Sequence, residues 1–372
     1  MKVALVHDWL TGMRGGEKVL AAICGMFPGA DLFTLICVPG RCEAITQGRR
    51  VVTSWLSRLP GIERYYRYLL PVMPWAIQSL DLSGYELIIS SSHCVAKGLR
   101  RPRSAVHVCY CHSPMRYAWS QADSYRRTMP LEGLALALFR DPLRRWDRNS
   151  SNGVDLFAAN SRNVARRIRL AYGREALVVY PPVDTDFYTP APVAREDFYL
   201  AVGALAPYKR MDQAVEGFAH LPDRRLVVIG SGQMAAALRR SAPSNVTLLG
   251  WQSDEAVRDH YRRARAAVFP GEEDFGIVPV EAMACGCPVI AYRGGGALET
   301  VIDAEGGLTS ATGLCYSPQT PEALAAAIRK FETLPMSWDA AAMARHAAQF
   351  GAARFRQDFA RTVRAAYQRH RC

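Results

Sequence analysis

Residues 268–300 read VFPGEEDFGIVPVEAMACGCPVIAYRGGGALET, and this stretch leaves few folds open. Apolar Ala266–Pro270 reads as a buried strand and Gly271–Ile277 as an acidic glycine loop, with a helix expected from Pro279. A second apolar run, Pro288–Tyr292, a second glycine loop, Gly294–Gly296, and a helix beginning near Leu298 repeat the order. Strand, loop and helix in succession build a parallel sheet, whose ligands gather at the carboxyl ends of the strands. Both loops are therefore expected at one crevice. Proline in the first turn suits a helix start, and the N–H groups there attract anions. Glu273 in the loop and Glu281 in the helix put two carboxylates at different depths of that site.

The same alternation runs through the chain. Val3–Val6 reads as a strand, Trp9–Gly16 as a loop and Glu17–Phe27 as a helix, which is how a Rossmann-like half begins. The pattern G-x-G-x-x-G is absent, which argues against a nicotinamide or flavin enzyme. Gly15 and Gly16 would let the backbone approach a ligand at the helix start. Further strands are expected at Asp31–Cys37, Tyr85–Ser90, Ala105–Cys111, Val154–Ala159 and Ala176–Tyr180. His112 lies just past a strand's carboxyl end, so it should point into the crevice, as should Arg116. His107, inside the strand, is the contrast case, a packed residue with its ring satisfied. Residues 120–150 read as helical, with Arg140, Arg144, Arg145 and Arg148 on a solvated face. Asn160-Ser161 should cap the helix Val164–Ala171.

Pro181-Pro182 breaks regular structure, and the domain boundary is expected between Pro181 and Glu196. The second half restarts with Phe198–Val202, the loop Gly203–Arg210 and the helix Asp212–His220. Strands Arg225–Ile229 and Asn245–Leu249 follow, ending in Gly230–Gly232 and Gly250-Trp251-Gln252, and the helix Glu255–Ala264 leads into the opening stretch. Lys209 and Arg210 sit in a loop after a strand, where they can reach an anion such as a diphosphate. Past Thr300 come a hairpin-like stretch at Gly313–Tyr316, with Leu314–Tyr316 as a short strand, and two helices. The last, Ala353–Tyr367, carries Phe355, Phe359, Val363 and Ala366 at helical spacing, which suits a helix crossing back onto the first half.

A length of 372 residues accommodates two domains, and 49% hydrophobic with 22% charged residues is a globular composition. The ten cysteines include the pairs Cys109/Cys111 and Cys285/Cys287, without zinc-site spacing, so they read as packed thiols. Net charge is +12, and residues 1–185 hold most of it, with 25 Lys/Arg against 14 Asp/Glu; residues 186–372 have 21 against 20. Such a half suits a phosphorylated substrate or an anionic lipid surface. Nucleic acid is not expected, because no binding motif surrounds the arginines. Residues 54–82 mix Trp55, Tyr65, Tyr66, Tyr68 and Trp75 with Arg58, Arg64 and Arg67, which reads either as an interfacial helix or as a helix pair packed on the sheet. MKVALVHDWL lacks a signal peptide's apolar region, and no apolar run approaches the roughly 20 residues of a membrane span. The expected location is the cytoplasm, peripheral on the inner face of the plasma membrane.

With Glu273 and Glu281 spaced E-x7-E and followed by AMACGCPVIA, the chain resembles the retaining GT-B glycosyltransferases of the group-1, family 4 type. GALAPYKRMD, NSRNVARRI…YPPVD, YCHSPMRYAW and HDWLTGMRGGEKV support the likeness in the expected order. The last three look most like bacterial mannosyltransferases of O-antigen or exopolysaccharide assembly, which use GDP-mannose. The resemblance implies an α/β fold of two Rossmann-like domains facing an interdomain cleft: residues 1–185 for the acceptor, 186–352 for the nucleotide-sugar donor, with helix 353–367 packing back. It implies that Glu281 holds the ribose hydroxyls. Glu273 would contact the transferred sugar's hydroxyls beside the backbone of Phe275, Gly276 and Ile277. Lys209, helped by Arg210, would neutralise the diphosphate, which the backbone of Gly15 and Gly16 would also approach. His112 would lie near the anomeric carbon, and Gly250, Trp251 and Gln252 would line the base pocket. The implied catalytic set is His112, Glu273 and Lys209, acting on a lipid-linked glycan acceptor with no cofactor. No metal is assigned, since the reading finds no Asp-x-Asp of the kind that holds a catalytic divalent ion. One departure stands out. The family's Arg after the first Gly of the Gly-x-Leu block is Ala204 here, removing a charge-assisted contact worth roughly 1.5–3 kcal/mol. Ala204 also keeps open an inactive relative that binds a sugar nucleotide and regulates a glycosyltransferase.

Overall fold

The computed structural model describes residues 1–116, 118–119, 130–306, 310–335 and 338–371. The chain forms two compact units, Met1–Pro182 with Ala353–Cys372, and Val183–Ala352. In the first unit the strands are β1 Val3–His7, β2 Asp31–Thr34, β3 Val51–Thr53, β4 Leu87–Ser92, β5 Val106–Cys111, β6 Leu156–Ala159 and β7 Ala176–Val178. They pair in parallel in the order β3-β2-β1-β4-β5-β6-β7. In the second unit β8 Tyr199–Val202, β9 Leu226–Ile229, β10 Val246–Gly250, β11 Ala266–Phe269, β12 Val289–Tyr292 and β13 Gly313–Tyr316 pair in parallel as β10-β9-β8-β11-β12-β13. Both are doubly wound Rossmann-like sheets. In each, strand order reverses once, between β1 and β4 and between β8 and β11, and such a reversal opens a crevice at the strands' carboxyl ends.

The central strands are buried because helices cover both faces of each sheet, while the edge strands β3, β7 and β10 are only partly covered. On one face of the first sheet, Leu5, Leu32, Ile89 and Val108 pack with Val19, Leu20 and Ile23 of the helix Gly15–Met26. Phe355, Phe359, Val363 and Ala366 of the helix Ala352–Arg371 join the same cluster. The rings of Phe355 and Phe359 stack, and Tyr110 meets both edge-on. Burying each phenylalanine contributes about 1.5–3 kcal/mol. A second cluster on the other face takes in Leu56, Ile62, Tyr66, Leu70, Met73 and Ile77.

Several local expectations change. The helix expected at Glu17 begins at Gly15, so the glycine pair forms its first turn rather than the loop before it. The helix expected at Pro279 spans Ile277–Ala284, because Gly276 at φ 87 turns the chain two residues earlier. The short strand expected within Gly313–Tyr316 is present as β13, but it pairs in parallel at the sheet edge rather than in a hairpin. Strand β3 and the helix Ala235–Ser241 were not anticipated.

Of the helical stretch expected over 120–150, Pro130–Ser150 is helical and 120–129 lies outside the described residues, as does Tyr117. Its arginines do not all face solvent. Arg144 and Arg148 donate to the carbonyls of Ala118 and Ala171 and lie over the Trp119 ring, and Arg140 also reaches Ala118. Residues 54–82 form neither one interfacial helix nor a simple pair, but four short pieces: Trp55–Arg58, Ile62–Tyr65, Tyr66–Val72 and Met73–Gln78. Pro60, Pro71 and Pro74 remove the donors that a longer helix needs. Among the described residues no helix is long and apolar enough to cross a membrane.

Candidate functional site

In the second unit the pairing of β11 with β12 brings the two glycine loops that follow them together backbone to backbone, beside the reversal between β8 and β11. The N–H of Gly296 donates to the carbonyl of Glu273 at 2.8 Å. A Cβ on Gly295 would collide with Glu273 O, and one on Gly296 with the backbone of Phe275. Gly271 also packs on the backbone of Lys209, less tightly. Leu205 N donates to Ser231 O, and Met234 N to Leu205 O, so the loops after β8 and β9 are joined too. Only glycine allows backbones this close.

On this frame Lys209 Nζ donates to Glu273 Oε1 in an ion pair whose side chains are 15% and 18% exposed. Arg210 follows in the left-handed region at φ 54, its Nε 3.5 Å from Asp212 Oδ1. Ala204 is exposed at the head of the same loop. Glu281 is buried on the helix Ile277–Ala284, and its negative charge faces the phenols of Tyr188 and Tyr261. Burial first, and Glu281 next, push both phenols far above their ordinary range. Phe275 and Gly276 form the turn between Glu273 and that helix, which Ile277 begins.

Gly250, Trp251 and Gln252 lie apart from this cluster. They end β10, the edge strand two places from β8, with Gly250 at φ 75 and its carbonyl bonded by Gly230 N. Trp251 is 74% exposed, and Gln252 Nε2 donates to Leu249 O.

In the first unit the reversal lies between β1 and β4, and a polar cluster fills it. Register sets His7 beside Ser91. His7 Nδ1 is 3.0 Å from Ser91 O and 3.1 Å from Ser91 Oγ, and that hydroxyl is 2.8 Å from His112 Nε2. Glu17 Oε1 lies 3.9 Å from His7 Nε2. Gly16 is at the same place, where an added Cβ would stand 3.8 Å from His112 Nε2. Asp8 accepts four backbone N–H bonds, from His93, Cys94, Val95 and Ala96, and fixes the loop after β4. Asn160 Nδ2 holds the His112 carbonyl at 3.1 Å, while Ser161 caps its helix through Val164 N.

Charge in this cluster is tightly set. Burial, then His93, His7 and Arg116, hold the His112 ring well below its ordinary value, so it is neutral at pH 7. Burial would raise the Glu17 carboxyl, but His7 and His93 bring it below the usual carboxylate value. His107 is packed as expected, with Ser90 Oγ and Gly153 O on its two nitrogens, and burial lowers it to about 4.

His7, Ser91, Glu17 and Asp8 escaped sequence reasoning. The available signal was His-Asp at the end of the first strand and Ser-Ser-Ser-His at the end of the fourth. The triplet Asp184-Thr185-Asp186 was also passed over; Asp184 Oδ1 there accepts from Phe187 N. Among the described residues no group of three or more His, Cys, Asp or Glu could hold a metal ion. The cysteines of both Cys-x-Cys pairs are buried free thiols, that of Cys287 pushed up to about 11 by burial.

Comparison with known proteins agrees with this architecture. The model for Glycosyltransferase Family 4 matches residues 13–187, and that for Glycosyl transferases group 1 matches residues 185–350. Sucrose-phosphate synthase of Thermosynechococcus elongatus superposes with a TM-score of 0.75 at 20% identity, covering 99% of this chain and 100% of that one. HepE of Anabaena, solved in complex with UDP, gives 0.72 at 19% identity, covering 98% and 100%. The GDP-mannose-dependent alpha-(1-6)-phosphatidylinositol monomannoside mannosyltransferase of Mycolicibacterium smegmatis is 30% identical over 43% of this chain and 50% of its own length. The D-inositol 3-phosphate glycosyltransferase of Geodermatophilus obscurus is 33% identical over 47% of this chain and 45% of its own. The chain thus spans about half the length of these curated relatives. Two doubly wound parallel sheets of this kind make a GT-B fold. The chain belongs to the GT-B glycosyltransferase family, with a family 4 domain followed by a group 1 domain.

Proposed function

We propose that this protein is a retaining glycosyltransferase that moves mannose from GDP-mannose onto a lipid-linked or polysaccharide acceptor. The observation that carries the reading is the Lys209–Glu273 pair at the strand-order reversal of the second unit. An ammonium there meets a diphosphate, and the carboxylate beside it accepts from sugar hydroxyls. Glu281 takes the ribose hydroxyls, Phe275–Ile277 flank the sugar, and Gly250–Gln252 receive the base, with Trp251 offering an aromatic face. Arg210 adds a second cation. His112 contacts the sugar near the anomeric carbon, and the first-turn N–H groups at Gly15 and Gly16 approach the diphosphate.

The chemistry follows from charge. As the glycosidic bond breaks, negative charge grows on the departing nucleoside diphosphate, where Lys209, Arg210 and helix N–H groups stabilise it. The leaving phosphate takes the acceptor's proton on the same face, so configuration is retained and no protein base is assigned. A glycosidase would need two carboxylates about 5–9.5 Å apart across one bond. Glu273, engaged with Lys209, and Glu281, buried in its helix, suit hydroxyl binding instead.

The mannosyltransferase among the relatives supports the choice of donor. Exposed Trp55, Tyr68 and Trp75, interleaved with exposed Arg58, Arg64 and Arg67, support an acceptor carried on an anionic membrane surface. Incubating the purified protein with a panel of sugar nucleotides tests the reading. Release of GDP from GDP-mannose, abolished by Glu273→Ala, is expected. Turnover of a different sugar nucleotide overturns the donor, and tight binding without turnover of any overturns the activity.

A further inference from the structure

The polar cluster of the first unit contains a directional chain of hydrogen bonds, and its direction can be worked out. A backbone carbonyl only accepts, so His7 Nδ1, 3.0 Å from Ser91 O, carries a proton. Ser91 Oγ, 3.1 Å from that nitrogen, can then only accept from it. The Ser91 hydroxyl keeps one proton to give, and its other hydrogen-bond neighbour among the described residues is His112 Nε2 at 2.8 Å. His112 Nε2 is therefore the lone-pair nitrogen. A neutral imidazole with its lone pair there carries its proton on Nδ1.

Each link is held from behind. Ser91 is 1% exposed and fixed by strand pairing to His7. His7 is fully buried and pinned through Nδ1; its Nε2 makes no hydrogen bond among the described residues, the Glu17 carboxylate standing 3.9 Å away. Glu17 belongs to the first turn of the helix Gly15–Met26, where its Oε2 also takes the N–H of Arg14. Asn160 and Ser92 hold the backbone of His112 from either side.

We propose that Ser91, backed by His7, is a positioning residue that fixes the tautomer of His112, so that this ring offers the sugar an Nδ1–H donor and not a base. The proposal rests on the reading above that His112 contacts the sugar. It assigns His112 the task of donating to a sugar oxygen as the glycosidic bond breaks, while the acceptor's proton goes to the leaving phosphate and not to this ring.

The test joins a spectroscopic and a kinetic measurement on the full chain. In protein labelled with 15N-histidine, the His112 ring, identified by its loss in His112→Gln, is expected to show a protonated Nδ1 and an unprotonated Nε2. Ser91→Ala is expected to mix the two tautomers and lower kcat for nucleoside diphosphate release roughly tenfold, about the weight of one hydrogen bond, at unchanged KM. Ser91→Thr, which keeps the hydroxyl, should restore kcat. A wild-type ring protonated on Nε2 overturns the proposal, and that spectrum decides by itself should Ser91→Ala not fold. Wild-type kcat in Ser91→Ala overturns it as well. Should His112→Ala keep full kcat, the underlying reading of His112 falls together with the relay. Loss in His112→Ala with none in Ser91→Ala removes the relay alone.

Discussion

Lys209 and Glu273, 64 residues apart, are bonded side chain to side chain across the strand-order reversal of the second unit. Both are mostly buried, so removing either leaves the other charge without its partner in a partly desolvated place. Lys209→Met and Glu273→Gln are each expected to lower kcat/KM for nucleoside diphosphate release by about 10²–10³-fold. Because the two act on one donor, the double variant should lose little more than the worse single. Fully additive losses in steady-state kinetics would show that they work independently.

Arg210 occupies a conformation that costs an ordinary side chain on the order of 1 kcal/mol. Arg210→Gly removes that strain and also removes a cation. Its melting temperature is expected to rise by about 2–4 °C while turnover falls. A variant that melts lower, or that turns over as fast as the wild type, would refute one half of this trade.

The glycine loops tolerate no Cβ. Gly296→Ala would press on the backbone of Phe275, and an overpacked contact of this kind costs about 1–3 kcal/mol. Gly25, in the helix Gly15–Met26, is the control, because a Cβ there meets nothing within 4 Å. Gly25→Ala should stabilise by about 0.5–1 kcal/mol. Denaturant titration of both variants, with donor affinity measured alongside, reads the contrast; equal stabilities would contradict the close approach.

Stability should fall in mild acid. His93, His107 and His112 all have folded-state values below the ordinary 6.5, burial being the largest cause for each. Between the folded value and 6.5 the unfolded chain binds more protons, so stability rises with pH across that window. It is complete above about pH 6.5 and declines below, by at most about 1.4 kcal/mol per pH unit for each ring. Glu17, lowered from 4.5, adds stability that disappears only at still lower pH. Thermal melts at pH 7.5 and 5.5 should differ, and the difference should shrink in His107→Asn. Identical melting at both pH values would mean these rings are not held neutral.

What the chain reveals on reading divides along the range of the interactions involved. Apolar runs and glycine loops are local, so β8 to β12 and the Lys209 and Glu273 loops were all legible within a residue or two. Strand β3, three residues long at a sheet edge and only half-buried, has too short a pattern to read. Gly313–Tyr316 looked like a hairpin because its parallel partner, β12, lies a glycine loop and a short helix away. The His7–Ser91–His112 chain depends on the register of β1 against β4, 84 residues apart, which no local pattern encodes. Gly15 and Gly16 read as the end of a loop, yet Glu17, accepting from the N–H of Arg14, lets the helix start at Gly15.

The first unit draws its core from both ends of the chain, and this bears on synthesis by the ribosome. Phe355 and Phe359 lie under β1, β4 and β5, yet they are translated after all of the second unit. At roughly 5–20 residues per second, the 170 residues from Val183 to Ala352 take on the order of 10–30 s to make. At the end of that interval the nascent chain carries a sheet with one face only partly covered, by the helix Gly15–Met26, while the later unit already has every residue it needs. The usual amino-first order of domain maturation is thereby inverted. The first half is begun first and finished last, and a ribosome that stalls before Phe355 leaves behind an apolar patch on the sheet for a chaperone to cover.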